Sequence, residues 1–270
     1  MEQLKGNFSK GITKGAFRTY IGETFDVDNF DLFTAAVSQG YDDAKRTFAG
    51  ISKFWEYQNN EENVSQHRAT AFFEFIAKNI QAACKNPPMD FYEWHTKTCQ
   101  NICQWLNDKG YKNCQHGQTQ KIMNMTFKYL YCLPGAEDHE IFKACHMPLD
   151  SFTLEWYKRF IWKKGLPKIT ENDKWSNLNE EKYNSIAREI EKHLEISPLF
   201  CYKGKNIQLP RFPLDAEFYI WEEMQMHMAV ESFIFSFYAV ETKEKKLWKE
   251  KSVLEKMDKA IDLIKNYKDL

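Results

Sequence analysis

Gly117-Gln118-Thr119-Gln120-Lys121-Ile122-Met123-Asn124-Met125-Thr126-Phe127-Lys128-Tyr129-Leu130, followed downstream by His146-Met147-Pro148-Leu149-Asp150, is the stretch on which the reading of this chain turns. Helical geometry places Lys121, Asn124 and Lys128 on one face and Ile122, Met125 and Tyr129 on another. The spacing predicts a helix from near Gln118 to about Leu133, with an apolar back and a cationic front, stopped by Pro134-Gly135. Asp150 is placed to cap the next helix, which carries Phe152, Trp156, Tyr157 and Phe160.

Working outward, helices dominate. Upstream, Asp90 followed by Glu93 is a capping-box pattern, and behind it Phe91, Trp94, Thr98, Ile102 and Trp105 recur at helical spacing to about Asn107. Asp108 to Gly117 has the composition of a connection between two helices. A further helix is expected from Glu62 to Cys84, broken by Asn86-Pro87-Pro88. Downstream, Tyr183, Ile186, Ile190 and Leu194 mark an amphipathic helix, and residues from Ser197 to Arg211 read as a long connection. Glu217 to Val240 reads as a largely buried helix, and Val253, Leu254, Met257, Ile261 and Ile264 as the inner face of a terminal one. Phe17 to Ile21 is the sole mildly β-like run in the first sixty residues, so the expected class is all-α.

The composition bounds the function. With 270 residues, 16% of them aromatic and few Gly or Pro, the chain can bury a large core, and one globular helical unit over residues 1–270 is expected. The most hydrophobic stretch, Met228 to Val240, is interrupted by Glu231, so no membrane span is expected, and the N-terminus lacks the apolar run of a secretory signal. A cytoplasmic monomer is the expectation. Seven scattered cysteines argue for reduced thiols rather than a disulfide framework. Cys99, Cys103, Cys114 and His116 could supply zinc ligands, but their spacing matches no common zinc pattern, so neither a metal nor a cofactor is expected.

The net charge of -1 argues against a strongly electrostatic nucleic-acid binder, yet its distribution is uneven. Residues 109–168 hold ten basic and five acidic side chains, a balance of +5, which leaves -6 for the remainder. The positive charge surrounds the opening motif.

Within that motif, a lysine in the first turn of a helix feels the positive end of the macrodipole, which disfavours an ammonium ion and favours the free amine that nucleophilic catalysis requires. Lys121 has that position in the expected helix, and Asp150 would face it if the two helices pack antiparallel. A glycine-containing hairpin, a lysine shortly after it at a helix start, and then Pro-x-Asp opening the following helix together resemble the helix-hairpin-helix DNA glycosylases with lyase activity, especially the 8-oxoguanine branch. The resemblance covers residues 90–160 and rests on Gly117, Lys121, Pro148 and Asp150. It implies an all-α fold with two helical lobes and a cleft between them, into which a damaged or modified base of double-stranded DNA is flipped. It further implies that Lys121 is the nucleophile that forms a Schiff base at the sugar and that Asp150 assists base departure. Gly117 and Gln118 would then meet the DNA backbone, and Lys109, Lys112, Lys128, Lys163 and Lys164 are candidates for phosphate contacts.

Three departures stand beside the resemblance. The family hairpin has two glycines, whereas Gly117 stands alone; the interval between Lys121 and Asp150 is longer, with residues 134–144 as the excess; and no four-cysteine iron-sulfur pattern follows. The alternative readings are a non-catalytic helical protein that binds nucleic acid or another protein, and an unrelated helical protein in which the lysine and aspartate coincide.

Overall fold

The computed structural model describes residues 1–58, 69–163, 165–170 and 173–242. Lys164 and the expected terminal helix from Val253 to Ile264 lie outside the described residues. The chain is mostly helical: α1 (Glu2–Gly11), α2 (Phe30–Ala44), α3 (Ile51–Gln58), α4 (Thr70–Lys85), α5 (Phe91–Asp108), α6 (His116–Tyr131), the short α7 (Ile141–Ala144) and α8 (Ser151–Trp156), α9 (Glu180–Glu195) and the long α10 (Pro213–Thr242). Among the described residues, no helix is long and apolar enough to cross a membrane.

Side chains set several of the helix starts. Asn29, Asp90 and Asn179 each accept a hydrogen bond from the backbone N–H three residues on, at 3.2, 3.0 and 2.9 Å, which satisfies one of the orphan donors of α2, α5 and α9. At the other end of α5, Gly110 takes φ +99° and the Tyr111 N–H reaches back to the Leu106 carbonyl, which closes the helix and turns the chain toward α6. The α5–α6 connection is therefore residues 109–115, shorter than the sequence suggests, because α6 begins at His116.

Two strands interrupt the helices where a plain connection was expected. Leu199–Tyr202 and Lys205–Gln208 form an antiparallel hairpin in which Tyr202 pairs with Lys205. Lys203 and Gly204 both have positive φ, +48° and +73°, the combination of a tight two-residue hairpin turn. The run from Phe17 to Ile21, by contrast, is not a strand: Ala16–Tyr20 is a single 3-10 turn that buries Phe17.

Two hydrophobic cores lie on either side of α6. The first gathers α2, α4, α5 and the apolar residues of α6, with Phe33, Phe72, Ile76, Ile102 and Phe127 among its members. The second holds Leu149, Trp156, Tyr157, Tyr183, Ile190 and Ile220, from the segment after α7 through α10. Helix α10 serves both: Leu214 and Phe218 belong to the first core, and Ala216, Ile220 and Met224 to the second. The polar residues of α6 are consequently not a solvent face. Gln120, Lys121, Asn124 and Lys128 are all buried, and they form a polar seam along the helix.

Candidate active site

Residues 145–150 run as an extended strap along α6 in the opposite direction, and side chains of α6 hold it by its backbone. The Gln120 amide donates to the Leu149 carbonyl at 3.0 Å, and the Asn124 amide reaches the Met147 carbonyl at 3.4 Å. Between these ties the Lys121 ammonium donates to Asp150 Oδ2 at 2.9 Å. Lys121 and Asp150 are thus brought together through the antiparallel strap that ends at the N-cap of α8.

Asp150 divides its two oxygens between two tasks. Oδ1 accepts from the backbone N–H groups of Phe152 and Thr153 at 2.9 and 3.1 Å and so caps α8, while the Thr153 hydroxyl accepts from the Asp150 N–H at 2.8 Å. Oδ2 is left for the lysine. Burial alone would raise the carboxyl's pKa, but the Lys121 ammonium and the Thr153 N–H outweigh it and hold Asp150 below the ordinary carboxylate value. The pair is nearly covered, with side-chain exposures of 8% for Lys121 and 11% for Asp150. Asp43 on α2 is close enough for its charge to interact with both Lys121 and Lys128, and it accepts from the Tyr129 hydroxyl at 2.7 Å.

The structure treats the other expected site residues differently. Lys121 is the sixth residue of α6 rather than a first-turn residue, so the helix end is not what acts on it; Asp150 is. Lys128 is withdrawn from any phosphate: it is 1% exposed, it pairs with the equally buried Glu217 at 2.5 Å, and its ammonium lies over the rings of Phe8, Phe218 and Trp221. Gly117 spends its N–H on the Leu178 carbonyl at 2.9 Å, and an added Cβ would stand 2.0 Å from the Trp175 carbonyl oxygen. This glycine is needed for the close approach of residues 175–178, not for a grip on DNA. Gln118 is buried, with its side chain between the Gln115 N–H and the Thr47 carbonyl. Lys112 and Lys163 are exposed, and Lys109 lies with its ammonium near the Trp105 ring. The cationic front of α6 is thereby corrected to a buried, neutralised seam, because the partners of both lysines come from distant parts of the chain.

Beside the pair, a pocket of about 400 Å³ is lined by Thr47, Ser151, Leu154, Trp175, Ser176 and Met228, among others. Ser151 follows Asp150 directly, and Trp175 touches Gly117, so this pocket flanks the lysine seam on the side of α8. On the opposite side of Asn124 lies a second polar group. The Asn124 amide donates to Gln120 Oε1 at 3.0 Å and to the Tyr183 hydroxyl at 2.9 Å, its oxygen meets His95 Nε2 at 2.9 Å, and Tyr183 meets His146 Nδ1 at 2.9 Å. Burial is the main cause that lowers the pKa of His95 to about 3 and of His116 to about 4, and it takes His146 well below its ordinary value. Sequence reasoning assigns none of Asp43, Tyr183 and Glu217 to the site. None lies in the motif, and only folding brings them to it.

Comparison with known proteins finds no matching family model, no matching curated protein and no matching solved structure.

Proposed function

We propose that this chain is a DNA base-excision enzyme that removes a damaged or modified base from duplex DNA through a lysine Schiff base. The observation that carries the reading is the Lys121–Asp150 contact: an amine and a carboxylate 2.9 Å apart, at the border of two helical cores, with the carboxylate fixed by a helix N-terminus. A primary amine is a nucleophile only once it has lost its proton, and Asp150 Oδ2 stands within proton-transfer reach. The free amine adds to the sugar C1′ as the C–N bond to the base breaks, and the base departs with the bonding electrons and takes up the proton that Asp150 received, which returns Asp150 to the carboxylate. Loss of a second amine proton and opening of the sugar ring then give the imine. The fixed carboxylate favours the positive charge that develops on the sugar. The pocket flanked by Ser151 and Trp175 is the space we assign to the extruded nucleoside. Helix-hairpin-helix architecture belongs to this proposal, with α5, residues 109–115 and α6 in the place of the motif.

The near-complete cover over the pair favours one other reading, in which Lys121 and Asp150 are a structural strut in a non-catalytic helical binding protein. Borohydride trapping separates the two. Incubation with duplexes that each carry one lesion type, followed by reduction, is expected to link one duplex covalently to the wild-type protein and none to Lys121→Gln. No adduct with any lesion, or an adduct that persists in Lys121→Gln, overturns the catalytic reading.

A further inference from the structure

Outside the lysine seam, α5 presents His95, Cys99 and Cys103 at four-residue steps along one face, and His116 opens α6 directly across the connection. The ligand atoms of His95, Cys99 and His116 all lie within 4.8 Å of one another. From this cluster we infer that the chain holds one zinc-class divalent transition-metal ion between α5 and α6, bound by His95, Cys99 and His116.

The hydrogen bonds around His95 arrange it as a ligand. The Asn124 amide nitrogen is committed to Gln120 and Tyr183, so its oxygen faces His95 Nε2 and takes the hydrogen carried there. His95 Nδ1 is left as a lone pair 3.9 Å from Cys99 Sγ. A ring N–H held by an outer amide, with the other nitrogen directed to a thiol, is the arrangement of a metal-bound imidazole. An independent sign comes from His116, whose Nε2 is buried with no hydrogen-bond partner, although buried imidazole nitrogens rarely go unsatisfied. Bonds of about 2.0–2.1 Å to nitrogen and about 2.3 Å to sulfur place tetrahedral ligand atoms roughly 3.3–3.8 Å apart. The His95–Cys99 distance is already near that value, and the His116 ligand atom lies within 4.8 Å of both.

Two imidazoles and one thiolate form a borderline-soft donor set that suits zinc better than calcium or magnesium. Binding deprotonates the Cys99 thiol, its proton goes to solvent, and sulfur donates the freed pair to the metal. Three protein ligands leave a fourth position, with half-buried Cys103 one turn further along α5. An ion here ties the end of the α5–α6 connection to the middle of α5, and so steadies the start of the helix that carries Lys121. The inference is independent of the function proposed for Lys121.

The test uses Co²⁺ as the probe, because a thiolate–cobalt bond gives a near-ultraviolet charge-transfer band and four-coordinate cobalt gives strong visible bands. Full-length protein stripped of metal and titrated with Co²⁺ is expected to develop both bands at one equivalent, and Zn²⁺ is expected to displace them. Cys99→Ser is expected to lose the charge-transfer band, and His116→Gln to weaken Co²⁺ binding by about tenfold or more. Cys201→Ser, on the exposed β-hairpin, is expected to retain both bands. His116→Gln changes a half-buried side chain with no hydrogen bond at Nε2, so its circular dichroism should match the wild type and its result stands even if Cys99→Ser misfolds. No charge-transfer band in the wild type, a band that survives in folded Cys99→Ser, or unchanged affinity in His116→Gln would overturn the inference.

Discussion

The Lys121–Asp150 pair makes a stability prediction that its surface appearance in the sequence would never suggest. Consider Lys121→Met, which keeps the bulk of the stem and removes the ammonium. Asp150 then keeps its two backbone donors on Oδ1 but has a buried Oδ2 with no cation. Loss of one partner from a buried pair costs about 3–5 kcal/mol, and the retained cap bonds together with the 8–11% exposure place this site at the lower end, near 3 kcal/mol. Asp150→Asn retains capping ability but sets a neutral amide against a buried ammonium, at a cost of about 2 kcal/mol. The double variant has neither charge and leaves neither one unpaired, so it should lie within about 1 kcal/mol of the milder single variant, with a coupling of roughly 2 kcal/mol or more.

Urea unfolding of the four proteins at pH 7 reads these values directly. Acid titration gives an independent check on the sign. Because the carboxyl is depressed in the folded state, its contribution is complete above the unfolded carboxylate value and fades as pH falls through the lower folded one. Wild type should therefore lose more stability in that acid window than the Asp150→Asn variant. Single-variant costs that simply add, with a coupling under about 0.5 kcal/mol, would refute the buried pair and with it the geometry on which the proposed chemistry depends.

Other outcomes follow from the same seam. Gly117→Ala sets a methyl 2.0 Å from the Trp175 carbonyl oxygen, so residues 175–178 must move away from α6, and thermal melting should show a loss of more than about 1 kcal/mol. Lys128→Glu places two carboxylates together in the core and should prevent folding, whereas Lys128→Met with Glu217→Gln should fold, as circular dichroism will show. His95, His116 and His146 are held neutral by burial, so stability is complete above about pH 6.5, where unfolded histidine takes up its proton, and declines below it. For His95 the slope in metal-free protein is on the order of 1 kcal/mol per pH unit down to about pH 3, and a flat melting profile from pH 7 to 5 would contradict the burial. For the DNA reading, Lys112→Glu with Lys163→Glu should lower the log–log salt slope of duplex binding by roughly 0.9 for each phosphate that is no longer neutralised, while Lys78→Glu with Lys192→Glu, also exposed, should leave it unchanged in a fluorescence-anisotropy titration.

Much of the fold was legible because its signals are local. Asp90 and Asp150 announce helix starts through short polar side chains before apolar periodicity, and both cap helices in the structure. The Leu199–Gln208 hairpin was missed for the converse reason. Its strands bury little more than Phe200 and so lack a clean alternation, and Lys203-Gly204 is not among the strongest turn pairs. Phe17 to Ile21 looked β-like through its aromatic and β-branched residues, but Phe17 points into a core already enclosed by helices, and a single turn suffices to deliver it.

The site divides in the same way. The pairing of Lys121 with Asp150 is legible from two expected helix starts packed antiparallel, although Lys121 lies further into α6 than expected. Lys128 could not be placed, because the residue that neutralises it, Glu217, opens a distant helix read only as largely buried, and helix periodicity assigns a face without saying what covers it. A cationic stripe on a helix is solvated only if no other element brings carboxylates to it; here the N-cap of α8 brings Asp150 and α10 brings Glu217, and the segment's balance of +5, which already counts Asp150, loses one net charge to the interior. The spacing of the cysteines does not single out the His95, Cys99 and His116 cluster, for a related reason. Intervals between Cys99, Cys103, Cys114 and His116 were compared with linear ligand spacings, whereas His95 enters the cluster through helical geometry, one turn before Cys99, and His116 enters through the α5–α6 connection. Linear spacing reports ligands that share a loop. Ligands spread over two packed helices become visible only when the crossing of those helices is known.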